Sequence, residues 1–430
     1  MRPLTWLSSL CAVPQQAGAQ IFFGQADLGS TSLPLPPSQD PWYAAPDDFE
    51  STEPGTILRI RSAPGDLPAA LGNLTAAYNI LYRTTDTRYQ PSWAVTTLLI
   101  PTSTYVSPSG SKAVLSYQFA YDSAAIDSSP SYLVFHEASQ LPNQLGLPSD
   151  ASFVNDLLGQ GWIINTPDYE GPTAAFGASV QAGHATLDAQ RAVFNLARLT
   201  GAGDITVALW GYSGGSIATE SAAELQVQYA PELKISGAVV GGVVDDIAAD
   251  FDLMNKTPLA GHMASVIMGV TVQYPEADAY VRSRLRPETA SDFLQIKKLV
   301  LANATAFFAG QDMYSYFIGG ASDLKAPILQ RVFNRETRLG YHGVPAIPMF
   351  VYKAIGDQYC PIVQTDALIK KYCEVGADIT YERNTIGTHV SEINNGKGRA
   401  LSWLWSIFNE SYVPHSCGCK VKNVTVDASA

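Results

Sequence analysis

The chain has 430 residues, of which 46% are hydrophobic and 15% charged, with a formal net charge of −12 and a pI near 4.9. That length and apolar content supply a large core and exceed one minimal domain. The acidic balance weighs against nucleic acid and anionic membrane surfaces, which need clustered Lys and Arg.

The N-terminus reads as a signal peptide over residues 1–19. Arg2 gives a positive start, residues 4–13 an apolar stretch, and Ala17-Gly18-Ala19 a small-residue cleavage site before Gln20. A secreted protein is expected. No later run of about 18 uncharged apolar residues predicts a transmembrane helix. Five Asn-x-Ser/Thr sequons, at Asn73, Asn255, Asn303, Asn409 and Asn423, are candidate glycosylation sites. Pro258 weakens the second. Cys11 leaves with the signal peptide, so Cys360, Cys373, Cys417 and Cys419 remain as candidates for two disulfides with three possible pairings. Cys417 and Cys419 are expected to pair with different partners, because a bridge between residues two apart is strained.

Residues 20–60, rich in Pro, Ser and Asp, read as an extended arm over the domain. Segments 77–83 and 94–100 read as paired antiparallel strands across a polar turn at 84–92. Strands at 113–120, 162–165, 205–210, 235–240 and 347–354 then alternate with helical periods, notably 185–199 and 217–229. Fully apolar strands alternating with helices predict an α/β fold, a mostly parallel sheet with helices on both faces. Residues 245–342 interrupt the order with helical stretches at 260–270, 276–284 and 290–308. They are expected to form a helical cap over the strand ends, with the apolar run 258–274 lining a cavity. The division is then a core of 20–244 and 343–430, the second part ending in a disulfide-tied tail, around a cap of 245–342.

The chemistry centres on Gly211-Tyr212-Ser213-Gly214-Gly215, between an apolar strand and a helix-like segment. In that context Gly-x-Ser-x-Gly is a nucleophile elbow, which lifts the serine oxygen to the top of a sheet. A serine hydroxyl needs an imidazole to take its proton, and the imidazole a carboxylate to hold it. In the α/β-hydrolase order these follow as Ser, acid, His. Four histidines follow Ser213. His262 falls in the cap, His342 precedes a strand and His415 lies in the cysteine tail. His389 lies between a strand at 378–383 and a helix at 398–408, where the fold needs its base. Asp357, just past the strand 347–354, is the first choice of acid, with Asp366 and Asp378 as fallbacks. The Gly214 N–H, next to the nucleophile, should give one oxyanion donor. A second should come from the loop after Ser116-Tyr117-Gln118, where Asp122 reads equally as a turn cap. No His-x-His or His-Glu-x-x-His spacing occurs, so neither metal nor cofactor is expected.

The chain resembles the fungal secretory lipase family, of the lipase A type, over nearly the whole mature chain. The resemblance rests on Ser116-Tyr117-Gln118 with Asp122, Asp168-Tyr169-Glu170-Gly171, the elbow and Tyr229-Ala230-Pro231-Glu232-Leu233. It continues through Pro258-Leu259-Ala260-Gly261, Ala354-Ile355-Gly356-Asp357 and the His389 loop. It implies a triad of Ser213, Asp357 and His389, an oxyanion hole of Gly214 and Asp122, and a helical cap with a lipid-accommodating tunnel. It also implies a bridge from Cys373 to the C-terminal cysteines. Cys360 is an addition to that pattern, placed to bridge the other tail cysteine. Asp127-Ser128-Ser129-Pro130 stands where the family has a cysteine, so that disulfide is missing. The leading expectation is a secreted carboxylester hydrolase, a lipase cleaving fatty-acyl esters such as triacylglycerols in transient contact with a lipid–water interface. The alternatives are a narrower esterase removing an acetyl group from a secondary metabolite such as a mycotoxin, an acyltransferase variant, and an inactive hydrolase fold used for binding. No nucleic acid and no obligate protein partner is indicated.

Overall fold

Ten strands form one mixed sheet in the computed structural model, which describes residues 34–65, 67–139, 151–415 and 418–428. The expected signal peptide, Cys11 and Cys417 lie outside the described residues. The strands are β1 (Ile57–Ser62), β2 (Leu74–Thr85), β3 (Pro91–Pro101), β4 (Lys112–Gln118), β5 (Ile163–Pro167), β6 (Ile205–Tyr212), β7 (Ile235–Gly241), β8 (Met349–Ala354), β9 (Ile379–Asn384) and β10 (Lys420–Val424). Their order is β1-β2-β3-β5-β4-β6-β7-β8-β9-β10. Strands β1, β2, β3 and β5 pair antiparallel in succession, and every pairing from β5 to β10 is parallel. Every residue of β5 and β8 is buried, so both faces of the sheet are covered there.

Helices α1 (Leu67–Ala70), α2 (Pro130–Ser139), α3 (Ala151–Gly159), α4 (Ser179–Thr200) and α5 (Gly214–Tyr229) connect the strands up to β7. Between β7 and β8 the chain leaves the sheet and forms α6 (Phe251–Met254), α7 (Ala260–Thr271), α8 (Pro275–Arg284), α9 (Ala290–Phe293), α10 (Leu301–Phe308), α11 (Ala321–Leu324) and α12 (Pro327–Glu336). Helix α7 is apolar nearly all round and is buried from Met263 to Thr271, at the heart of a second apolar cluster distinct from that around the sheet. The base of this excursion is tied twice. Arg338 pairs with Asp246 at 2.9 Å. The Glu224 carboxylate on α5 accepts from the Gly340 N–H at 2.6 Å, the His342 N–H at 2.9 Å and the Tyr372 hydroxyl at 2.8 Å. Helices α13 (Ile362–Glu374) and α14 (Ser391–Phe408) complete the layers, with Trp403 of α14 seated against Gly237 of β7.

Three expectations need correction. The last residues of the expected arm, 57–60, are not arm but belong to an edge strand, because Ile57, Leu58 and Ile60 find buried positions beside β2. Residues 420–424 are likewise a strand, parallel to β9. Cys373 bridges Cys419, as the resemblance implies, but Cys360 is a free buried thiol. Cys360 faces the cavity at Ser213, whereas the tail is stapled to the end of α13, and a bridge requires Cα atoms within about 7 Å. In place of the missing family cysteine, Asp127 accepts from the Ser38 N–H at 2.8 Å and Ser128 donates to Ser123 at 2.8 Å. Among the sequons, Asn303, Asn409 and Asn423 are exposed, while the Asn255 side chain is held by Asp312 and the Met313 N–H.

Candidate active site

Strand β6 ends at Tyr212, and the next residue takes φ 53° and ψ −126° before α5 begins. A non-glycine residue with positive φ is strained and persists only where its surroundings enforce it. Here the Ser213 N–H donates to Gly241 of β7 at 3.1 Å, and the Ser213 carbonyl accepts from Ser216 at 2.7 Å. Close approach of backbone requires glycine at position 215, and a side chain at position 214 would displace the Asp122 carboxyl. A Cβ on Gly215 would lie 2.1 Å from the Gln118 carbonyl, and one on Gly214 would lie 1.7 Å from Asp122 Oδ1.

His389 arrives from the loop between β9 and α14. Its Nε2 lies 2.7 Å from Ser213 Oγ and its Nδ1 2.7 Å from Asp357 Oδ2. The loop is fixed at both ends of this residue: its N–H donates to Gln358 Oε1 at 3.1 Å, and its carbonyl accepts from the Tyr212 hydroxyl at 2.5 Å. Asp357, just past β8, uses Oδ1 to accept from the amides of Tyr359 and Cys360, both at 3.0 Å. Burial pushes the Asp357 carboxyl up, but the hydrogen bond and charge of His389, the charge of Lys353 and the Cys360 amide together hold it below its ordinary value. The arrangement therefore places an anionic carboxylate behind an imidazole aimed at a strained hydroxyl.

Asp122 also reaches the site, at φ 45° in the loop after β4. Its Oδ1 is buried without a hydrogen-bond partner, and burial pushes the carboxyl up to about 7. The Asp168-Tyr169-Glu170 motif braces that loop from below. The Tyr169 hydroxyl donates to the Phe119 carbonyl at 2.6 Å, and the Glu170 N–H donates to the Tyr121 hydroxyl at 2.7 Å. The fallback acids are elsewhere. Asp366 pairs with Arg383 at 3.0 Å, and Asp378 accepts from the Tyr412 hydroxyl at 3.0 Å. His342 bonds the Arg335 carbonyl and His415 bonds Thr380.

A cavity of about 260 Å³ opens over Ser213 and His389. Its walls are mostly apolar and come both from the core, as Phe176 and Ile393, and from the excursion, as Ile247, Met254 and Leu301. Two further residues belong to this neighbourhood, one of them, His262, within the run 258–274 expected to line a cavity. His262 of α7 lines the cavity with Nε2 3.9 Å from Asp122 Oδ2, and burial, which outweighs the pull of Leu259, lowers it to about 4, so its ring is neutral. Lys353 lies buried behind Asp357. Its signal was legible: a lone lysine inside the apolar strand Met349–Ala354. Among the described residues, no group of three His, Cys, Asp or Glu is placed to hold a metal ion, and no helix is long and apolar enough to cross a membrane.

A mostly parallel sheet with helices around it, carrying a serine, a carboxylate and an imidazole in this chain order and geometry, defines an α/β hydrolase of the serine-hydrolase type. The chain belongs to the secretory lipase family, which it matches over residues 139–414. It is 51% identical over 427 residues to a protein of Stachybotrys chartarum described as a probable trichothecene esterase, covering 99% of this chain and 87% of that one. It is 44% identical over 416 residues to the trichothecene C-3 esterase of Fusarium sporotrichioides, covering 94% and 91%. The X-ray structure of Candida antarctica lipase A in its closed state superposes with a TM-score of 0.82 at 26% identity, covering 93% of this chain and 91% of that one. The protein is a carboxylic ester hydrolase.

Proposed function

We propose that the protein is a secreted serine esterase that removes a short acyl group, such as acetyl, from a compact oxygenated small molecule of the trichothecene type. The observation that carries this reading is the cavity at Ser213. At about 260 Å³ it lies just below the roughly 300–1,000 Å³ typical of small-molecule sites, enough for a short acyl chain and part of its alcohol. The two trichothecene esterases among the relatives support the same substrate class.

In the proposed mechanism His389 Nε2 takes the Ser213 proton as Oγ attacks the acyl carbon. The resulting imidazolium is stabilised by Asp357. The Gly214 N–H and Asp122 face the developing oxyanion, and Asp122, with its proton retained up to about pH 7, can offer an O–H as well as its backbone. The imidazolium then protonates the leaving alcohol. A water molecule, deprotonated by His389, attacks the acyl-enzyme and releases the acid. Residues 245–342 form the cap that closes over this chemistry, and residues 1–19 direct export.

The second reading is a long-chain lipase, favoured by the likeness to lipase A and by the apolar wall that Ile247, Met254, Leu259 and Leu301 give the cavity. Hydrolysis of p-nitrophenyl esters from acetate to palmitate, beside an acetylated trichothecene, separates the two. The short-acyl reading expects the highest kcat/KM on acetate and on the acetylated trichothecene, lost by about 10⁴-fold or more in Ser213→Ala. Rates that climb with chain length would replace it with the lipase.

A further inference from the structure

Lys353 has no exposed surface. A buried lysine is costly unless its ammonium is hydrogen-bonded and faces opposite charge. Its Nζ donates to the Val243 carbonyl at 2.6 Å and to Thr365 Oγ1 at 2.9 Å. Both acceptors are neutral. Two carboxylates stand just beyond hydrogen-bond reach, Asp357 Oδ2 at 3.8 Å and Asp245 Oδ1 at 4.0 Å. Asp245 is held in place by the Thr365 hydroxyl, which donates to it at 3.0 Å. The ammonium is thus anchored by neutral groups and suspended between two carboxylates: Asp357, and Asp245, which burial raises to about 6 against the pull of Lys353 and Thr365, so that it is a counter-charge above that pH. Both oxygens of Asp357 are already engaged, Oδ2 by His389 and Oδ1 by the amides of Tyr359 and Cys360. Lys353 therefore acts on Asp357 by charge at a fixed distance, not by bonding to it.

We propose that Lys353 is a positioning residue for hydrolysis: a buried cation that keeps Asp357 anionic and turned toward His389, with Asp245 as the counter-charge that moderates its field at the imidazole. The proposal rests on the reading of Ser213, His389 and Asp357 as the triad. The other titratable groups around this cation are Asp250, whose Oδ1 accepts from Gln364, and the buried Cys360 thiol. Glu220 and Tyr381 in turn feel the charge of Asp245. A lysine that merely neutralised two acids for folding would leave the pH dependence of catalysis where it was.

The test is kcat/KM for p-nitrophenyl acetate against pH in wild type, Lys353→Met, Asp245→Asn and Ser213→Ala. Removing the cation favours the protonated imidazole, so the acidic limb of Lys353→Met should move up by about one pH unit, with kcat at neutral pH down by about 10-fold or more and KM little changed. Removing the counter-charge has the opposite sign, so the limb of Asp245→Asn should move down. Limbs that stay with wild type, or that move together, overturn the proposal. Should Lys353→Met fail to fold by circular dichroism, Asp245→Asn decides alone, and an unmoved or raised limb overturns it. Activity that survives in Ser213→Ala overturns the triad reading instead, whatever the limbs do.

Discussion

Ser213, Asp357 and His389 lie 32 or more residues apart in the chain, yet two hydrogen bonds of 2.7 Å join them. Their geometry sets the sharpest expectations. Asp357→Asn keeps the shape but cannot hold the imidazole in its working tautomer, so kcat should fall about 10⁴-fold with KM nearly unchanged in steady-state assays. Gly214→Ala should inactivate the enzyme even if it folds, because the new methyl meets the Asp122 carboxyl that faces the proposed oxyanion site. A Gly214→Ala variant with wild-type kcat would remove Asp122 from that role. These residues were legible because the elbow needs small neighbours and because strand–loop order picks one histidine and one aspartate. The roles of Lys353 and His262 were not, although a lone lysine in an apolar strand and a histidine in the cap were both visible. Neither belongs to a motif, and what each does depends on which side chains the sheet and the α7 helix bring within about 4 Å.

At the scale of elements, apolar runs announced most of the parallel strands, since strands covered on both faces must be apolar throughout. The place of β5 outside β4 was not announced, because nothing in a strand's own composition tells which neighbour it will take. Strands β1 and β10 hid for a related reason. Each is an edge strand, and β10 is exposed along most of its length, so its pattern is polar. The disulfide Cys373–Cys419 closes a sequence separation of 46 between the end of α13 and the residue before β10. By loop-closure entropy it is worth about 4 kcal/mol. Cys373→Ser with Cys419→Ser should therefore lower the denaturant midpoint markedly. Esterase activity at low temperature should persist, since Ser213, Asp357 and His389 follow the C-terminal ends of β6, β8 and β9, whereas the bridge lies before the starts of β9 and β10.

Across the whole molecule, buried carboxyls stand out. Burial raises Asp122, Asp168 and Asp250 to about 7 and Glu220 to about 8. A carboxyl whose folded value exceeds its unfolded value binds its proton more tightly in the folded state. Its stabilising contribution is complete below the unfolded value near 4, and is lost as pH rises toward 7 or 8. Asp357, Glu232, Asp312 and Glu410, held low, contribute in the opposite sense, but the last three sit at the surface, where solvent screens them, and the raised carboxyls are buried. The thermal midpoint should therefore be higher near pH 5 than near pH 8, and Asp168→Asn, a neutral isostere, should flatten that slope. A midpoint that rises with pH would mean these acids are ionised in the folded protein.

The helices that roof the cavity leave the sheet at β7 and rejoin it at β8, two strands that lie side by side in parallel register. Departure and return are therefore adjacent, and the Arg338–Asp246 pair with the Glu224 clamp fastens them at the base. The reacting atoms are inherited from the sheet and its loops, whereas much of the cavity wall is inherited from the roof. A gene built this way can redraw its substrate range by rewriting one contiguous stretch of codons, while the machinery that breaks the ester is left untouched.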